Sequence, residues 1–181
     1  MTNGLVEAQI PVATMAGPDR FTHLVSRHQA MVFSMALAHL RNRAIAEEVA
    51  QEVFLELYRR LATLESDAHV TNWLRRVTAH RLIDQAREWK RKPQTPLESV
   101  TEPAAPVRTG DLLLNDTLQQ LVGTLPEHAR MIVILRFQED LELAEIAEIL
   151  VVPVGTVKSR LQRALVLLKD KLARRGVEMS I

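Results

Sequence analysis

The sequence contains no cysteine, so a disulfide framework and a thiolate metal site are both excluded. This composition fits a reducing compartment such as the cytoplasm. Aromatic residues make up only 4% of the 181 residues, and leucine, alanine, valine, glutamate and arginine recur at helical spacing, which favours an all-α fold. No apolar run approaches the ~20 residues of a membrane span. The first residues also lack the basic and apolar pattern of a secretory signal.

Motifs of an enzyme site are missing as well. There is no glycine-rich phosphate loop among the six glycines. His80 and Asp84 stand four residues apart, and Glu47 and Glu48 could add carboxylates, but no third metal ligand follows at a suitable spacing. We therefore expect no cofactor, no metal and no catalysis, and an enzyme is the least favoured hypothesis.

Charge is distributed unevenly although the formal net charge is only +1. Residues 73–92 carry a net charge of +5 and residues 158–175 carry +6, whereas residues 93–148 carry −7. Two separate basic blocks are typical of a protein that contacts a polyanion at two places. The simpler alternative is a pair of solvated basic helix faces.

Apolar periodicity divides the chain into two small helical domains, residues 18–92 and residues 111–176. Between them, residues 93–110 contain four prolines and no helical period, which predicts a linker. Residues 1–17 and 177–181 are interpreted as tails. The predicted helices before the last pair cover about residues 18–40, 44–64, 72–90, 111–122 and 127–138, with a loop at 64–72.

A helix-turn-helix is predicted between Leu141 and Leu172. Pro153 cannot continue the first helix, Gly155 permits a tight turn, and the second helix is expected to begin at Gly155 or Thr156. Early turns of such a second helix enter the major groove, where basic and polar side chains contact phosphates and base edges. The candidate DNA contacts are Thr156, Lys158, Ser159, Arg160, Gln162 and Arg163. The residues expected to face the core are Val157, Leu161, Ala164, Leu165 and Leu168.

One side of the second predicted helix is acidic. DNA repels such a side, whereas a basic helical surface on a protein partner would suit it. From charge alone, a solvated acidic face is the simpler interpretation. The residues of this acidic side are Glu47, Glu48, Gln51, Glu52 and Glu56.

Three motifs, in this order, resemble the extracytoplasmic-function sigma factors, a small two-domain class of bacterial transcription initiation factors. AEEVAQEVFLELYRRL at 46–61 resembles their main contact with core RNA polymerase. NWLRRVTAHRLIDQAR at 72–87 resembles the helix that binds the −10 promoter element. LPEHARMIVILRF at 125–137 and EIAEILVVPVGTVKSRLQRA at 145–164 resemble the domain that reads the −35 element.

The resemblance implies that the acidic side binds the coiled coil of the largest polymerase subunit. It also implies that the third helix and the loop before it contact melted −10 DNA, where unstacked bases can be captured. Arg136 matches a position that can hold a backbone phosphate at the −35 element. An anti-sigma factor is a further implied partner. The −10 candidates carried over are Asp67, Asn72, Arg75, Arg76, His80 and Arg81.

This chain departs from the family pattern at three positions. Val70 stands where an aromatic residue is usual, His80 where asparagine is frequent, and Val151 where the turn often has glycine. An autonomous helix-turn-helix regulator with an N-terminal sensor domain is the alternative. Such regulators carry a βα receiver or a ligand domain upstream, whereas the upstream domain here is helical, with its own basic helix. A promoter-specificity subunit is therefore the favoured prediction.

Overall fold

The computed structural model describes residues 17–91 and 112–174. The described residues form seven α-helices and no strand, which confirms the all-α prediction. The predicted linker, residues 93–110, lies outside the described residues, as do residues 1–16 and 177–181. The helices are α1 (Gly17–Leu40), α2 (Arg43–Arg60), α3 (Asp67–Arg91), α4 (Leu112–Gly123), α5 (Glu127–Phe137), α6 (Leu143–Leu150) and α7 (Val154–Arg174), with a 3₁₀ turn at Leu61–Thr63.

Side-chain caps set the start of α2 and α3. The Asn42 side chain accepts a hydrogen bond from the amide of Ile45 at 3.1 Å, which satisfies one of the free amides at the start of α2. Ser66 does the same for the amide of His69 at 3.2 Å. Because α3 begins directly after Ser66, residues 67–72 are helical. The prediction of a loop at residues 64–72 is wrong for these residues. Asp67 and Asn72 lie on the first turns of a helix.

Val70 is fully buried in the core of the first domain. The family that the sequence resembles usually has an aromatic residue at this position. In this chain the position packs inward, because the helix that carries it begins at Asp67 and turns this side toward the core.

The helix-turn-helix is present, but its left-handed turn residue is Val151 and not Gly155. Val151 adopts a left-handed conformation with φ of 53° directly after α6. Pro153 follows, and α7 begins at Val154, so Gly155 lies inside the first turn of α7. The expected start at Gly155 or Thr156 is therefore late, and the turn role assigned to Gly155 is wrong. Leu165, expected in the core, is 41% exposed.

The two domains pack against each other. One apolar core runs through both of them and includes Leu74 and Leu82 of α3 together with Leu135 of α5 and Ile146 of α6. A smaller cluster joins α4, α5 and α7 around Leu121. Helices α1 and α3 contact α5, and α3 also contacts α6. None of the described helices is both long and apolar enough to cross a membrane.

Candidate nucleic-acid and partner interfaces

The acidic side of α2 is exposed in the structure. Glu47, Glu48, Gln51 and Glu52 face solvent, and Glu56 is half-buried. Intramolecular ion pairs restrain part of this side, since Arg43 Nε lies 2.9 Å from a Glu47 carboxylate oxygen. No ion pair is recorded for Glu48 among the described residues, so its carboxylate remains available to a partner.

Arg81 belongs to this acidic side as well as to α3. Its guanidinium lies 2.6 Å from a Glu52 carboxylate oxygen and 2.9 Å from one of Glu56. The hydrogen bond to Glu56 raises the pKa of Arg81. The sequence grouped Arg81 with the −10 candidates. The structure instead brings it together with two residues of the predicted polymerase-binding side.

Two exposed apolar residues of α2 were missed by the sequence analysis. Leu55 is 57% exposed and Tyr58 is 58% exposed. Leu55 follows Gln51 by four residues, and Tyr58 follows Leu55 by three. Both therefore lie on the same side of α2 as Gln51 and Glu48. The Tyr58 ring makes an edge-on contact with Phe21, with 5.1 Å between the ring centroids. Exposed apolar and aromatic residues beside charged ones are typical of a protein interface, so they favour an interface over a merely solvated face.

Three −10 candidates of α3 face the second domain. Arg75 Nε lies 3.2 Å from a carboxylate oxygen of Glu139, in the loop after α5. His80 Nε2 lies 2.9 Å from the carbonyl oxygen of Ile149, near the end of α6. Arg76 is exposed and lines an open cavity of about 790 Å³ with residues 151–154 of the turn. The structure therefore places this side of α3 against the helix-turn-helix.

The remaining −10 candidates lie elsewhere on α3. Asn72 is exposed on an early turn of the helix. Asp67 forms an ion pair with Arg27 of α1. The six sequence candidates thus do not converge on one site in this conformation.

A second cavity, of about 680 Å³, lies between α2 and α3. Its polar lining mixes the Arg81 guanidinium with carboxylates of both helices, among them Glu52, Asp84 and Glu88. Among the described residues, no three His, Asp or Glu side chains converge in a way that could hold a metal ion.

The early turns of α7 present a polar and basic side. Lys158, Gln162 and Arg163 are exposed, while Ser159 is half-buried and its hydroxyl donates to the Thr156 carbonyl at 3.1 Å. This exposed side of α7 combines donors suited to phosphate with donors suited to base edges.

Arg160 is half-buried and lies near His128 of α5, in the same domain. Burial lowers the pKa of His128, and the charges of Arg160 and Arg87 lower it further. Arg87 donates to His128 Nε2 at 2.8 Å, which requires the neutral ring that the lowered pKa favours. His128 therefore lies between Arg160 of its own domain and Arg87 of the first domain.

Arg136 is held by the loop before α6. Its guanidinium donates to the Leu141 carbonyl at 2.9 Å and lies 3.0 Å from a Glu142 carboxylate oxygen. Glu142 also begins α6 by a reciprocal hydrogen-bond pair with Glu145, in which the Glu142 amide donates to Glu145 at 2.7 Å. Arg136 therefore supports the start of the helix-turn-helix.

Comparison with known proteins places these surfaces in a family. Residues 24–92 match the family model described as Sigma-70 region 2, and residues 115–168 match Sigma-70, region 4. The ECF RNA polymerase sigma factor SigW of Bacillus subtilis is 29% identical over 93% of this chain and 97% of its own length. SigM of Mycobacterium tuberculosis, also an ECF sigma factor, is 32% identical over 87% of this chain and 80% of its own length.

A solved structure has the same fold. The sigma factor RpoE of Bartonella quintana, in complex with the anti-sigma factor NepR, matches with a TM-score of 0.71 and 22% identity. The match covers 84% of this chain and 96% of that one. The chain described here belongs to the extracytoplasmic-function sigma factors of the sigma-70 family. It is thus a non-catalytic specificity subunit that binds core RNA polymerase and directs promoter-specific initiation, which decides against the enzyme and the autonomous regulator.

Proposed function

We propose that the two domains divide the work of promoter recognition between them. The first domain binds core polymerase through α2 and reads the melted −10 element with α3. The second domain reads the duplex −35 element with α7. The observation that carries this proposal is the exposed basic side of α7, where Lys158, Gln162 and Arg163 stand at the start of a helix-turn-helix reader.

The polymerase contact is assigned to the acidic side of α2, extended by Leu55 and Tyr58. Glu48 and Gln51 are exposed, and the two apolar side chains add surface that loses water on binding. Apolar burial supplies affinity, and charge complementarity sets orientation and association rate. A basic helical surface on the polymerase is the matching chemistry.

The −10 contact is assigned to the side of α3 that carries Arg75, Arg76 and His80. Arginine side chains hold the phosphates of a displaced strand, and a ring such as that of His80 can stack on or hydrogen-bond to an unstacked base. Asn72 lies one turn before Arg76 on the same helix and extends this surface. Asp67 is left out of the proposed contact, because its carboxylate already pairs with Arg27.

The −35 contact is assigned to Lys158, Gln162 and Arg163, with Arg136 near the backbone. Gln162 and Arg163 have the donor geometry to read base edges, and Lys158 is suited to a phosphate. Thr156 and Ser159 lie at the N-terminal end of α7, where amides favour a phosphate. Arg160 is half-buried near His128 of its own domain, so it is left at the edge of this surface.

An anti-sigma factor is a further proposed partner. The similarly folded RpoE was solved in complex with one, and a protein that covers α2 or α3 would block the surfaces assigned above. We place the chain in the bacterial cytoplasm, where polymerase and promoter DNA are found.

A gel-shift experiment with purified components tests the proposal. Duplex fragments from a promoter library are mixed with the chain, with core polymerase, and with both together. Each reader is small, so neither domain alone should select sequences well, and specific retention should require both proteins. Tight, sequence-specific retention by the chain alone, unchanged by core polymerase, would overturn the assignment of a polymerase-dependent reader.

A further inference from the structure

We propose that Val151 and Val154 form an apolar reading pair that recognises thymine methyl groups at the −35 element. Thymine carries a methyl group in the major groove, and apolar side chains recognise it by direct contact. The inference deepens the proposed function and rests on it, because it adds a base-specific contact beside the polar and basic side of α7.

The two valines are exposed at the turn of the helix-turn-helix. Val151 is 63% exposed and Val154 is 47% exposed. Val152, between them, is half-buried and packs against the apolar core. The turn thus already has an apolar residue that faces inward. The exposed pair adds little to the core, and its surface is open to a partner.

Val151 keeps a backbone conformation that its side chain disfavours. Its φ of 53° and ψ of 51° lie in the left-handed region, where a branched residue is a rare outlier. Glycine adopts the same conformation without strain. Strained residues of this kind cluster at sites of ligand contact. The strain therefore points to a role for the Val151 side chain outside the fold.

The backbone holds the pair next to the assigned reading side of α7. The Val152 amide donates to the Ala147 carbonyl at 3.1 Å, which ties the turn to α6. Val154 precedes Lys158 by four residues, so the two side chains lie on the same side of α7, one turn apart. The first turns of such a helix enter the major groove. The pair therefore lies where base edges are accessible.

The surroundings of the pair suit base edges better than phosphates. Both valines line the open cavity of about 790 Å³, together with the exposed Glu148. A carboxylate repels a phosphate but can accept a hydrogen bond from the amino group of cytosine. The cation that lines this cavity, Arg76, belongs to α3 and not to the second domain. The second domain's part of this lining is thus apolar and acidic, which favours contact with bases.

Deoxyuridine tests the methyl contact, because it pairs like thymine and lacks only the methyl group. The full chain with core polymerase first selects promoters from a randomised library. Each thymine of a selected −35 element, on either strand, is then replaced singly by deoxyuridine. The affinity of the complex for each duplex is measured by competition.

The parent chain is compared with Val154→Ala, Val151→Gly and the chain that carries both changes. Val166→Ala is the matched control. It makes the same change as Val154→Ala at a position that is 59% exposed and about three turns further along α7.

We expect deoxyuridine at one thymine or more to weaken binding of the parent complex about fourfold, the factor that ~0.8 kcal/mol for one buried methyl group gives. Each valine variant should reduce this effect, the double variant should show none, and Val166→Ala should keep it. Val151→Gly should also melt at a higher temperature than the parent chain. A merely structural role would not separate stability from recognition in this way. Affinity for core polymerase should stay parental throughout.

Equal binding of thymine and deoxyuridine duplexes at every position would overturn the inference, as would selected −35 elements without an A·T pair. An undiminished deoxyuridine effect in the double variant would overturn it too, and weaker binding of that variant to core polymerase would then assign the pair to a protein contact. If Arg163→Ala relaxes the −35 preference but deoxyuridine has no effect, the proposed function stands and only this inference fails. Failure of the parent complex to select any promoter would overturn both.

Discussion

Arg130 on α5 donates a hydrogen bond to the carbonyl oxygen of His39, in the last turn of α1. The same guanidinium donates to the carbonyls of Gly123 and Leu125, the latter at 3.0 Å. Carbonyls at helix C-termini carry partial negative charge and have no partner within the helix, so a cation stabilises them. One arginine of the second domain thus binds the ends of α1 and α4 together.

This arrangement predicts acid sensitivity through His39. Burial, followed by the Arg130 charge, lowers the pKa of His39 to about 3, and Glu127 only partly opposes this. The unfolded ring keeps a pKa near 6.5, so the folded chain binds fewer protons between these values. Stability is therefore complete above pH 6.5 and falls as the pH drops toward 3, by about 1.4 kcal/mol at pH 5.5.

Urea titrations between pH 7.5 and pH 5 measure this effect. His39→Gln should remove about 2 kcal/mol of the pH dependence over this range, whereas His69→Gln on the exposed start of α3 should leave the dependence unchanged. His28 also has a pKa lowered by burial, so the His39 variant should retain a smaller slope. An identical slope in the parent and the His39→Gln chain would contradict the account.

Val151→Gly should stabilise the second domain. Val151 is 63% exposed and has φ of 53°, a conformation that costs a branched residue about 1–2 kcal/mol and glycine almost nothing. The gain exceeds the added entropy of the unfolded chain, so we expect roughly 1 kcal/mol and a Tm rise of about 2–4 °C by calorimetry. Val154→Gly, at an exposed helical position nearby, should lower the Tm instead.

Placing positive charge on α2 should weaken polymerase binding without unfolding the chain. Glu48 and Gln51 are exposed, no ion pair involves Glu48 among the described residues, and Gln51 is neutral. Glu48→Lys with Gln51→Lys places positive charge where a basic partner surface is proposed. We expect at least tenfold weaker binding to core polymerase by fluorescence anisotropy.

Glu65→Lys is the matched control, because Glu65 is exposed but lies beyond the end of α2. It should bind core polymerase like the parent chain. Parental affinity of the Glu48 and Gln51 double variant, together with an unchanged helical spectrum, would show that the assigned side of α2 is not the contact.

Arg163→Ala and Lys158→Ala should have different effects at the −35 element. Arg163 is assigned to a base, so its loss should cost about 1–3 kcal/mol and relax preference at one position. Lys158 is assigned to a phosphate, so its loss should weaken all sequences alike and reduce the salt slope by about one. Transcription from a library randomised at the −35 element separates these two patterns, and parental preferences together with parental activity in both variants would contradict both assignments.

Helical periodicity was enough to predict most of the fold. Stripes such as Val49, Val53 and Leu57 predicted buried sides that the structure confirms. The errors in the prediction concern where helices begin and end. A single residue can set a helix end at a position that the apolar periodicity does not show. Ser66 starts α3 before the apolar stripe begins, and Val151 adopts a turn conformation that its branched side chain disfavours.

The candidate surfaces were predictable only in part, because sequence spacing does not report which domain covers another. Lys158, Gln162 and Arg163 are exposed as expected for a reader. The pairing of Arg75 with Glu139, 64 residues away in the chain, depends on domain packing and leaves no local pattern. Leu55 and Tyr58 were overlooked, since they belong neither to the acidic set nor to the apolar stripe of α2.

Mapping transcription start sites on a randomised promoter library tests the central assignment most directly. Core polymerase is incubated with the library alone, with the parent chain, and with a chain carrying Arg75→Ala and Arg163→Ala. We predict that only the parent chain produces new start sites, each preceded by two sequence elements at one fixed spacing. The double variant should lose those starts while keeping parental affinity for core polymerase. Start sites that are the same with and without the parent chain would contradict the account.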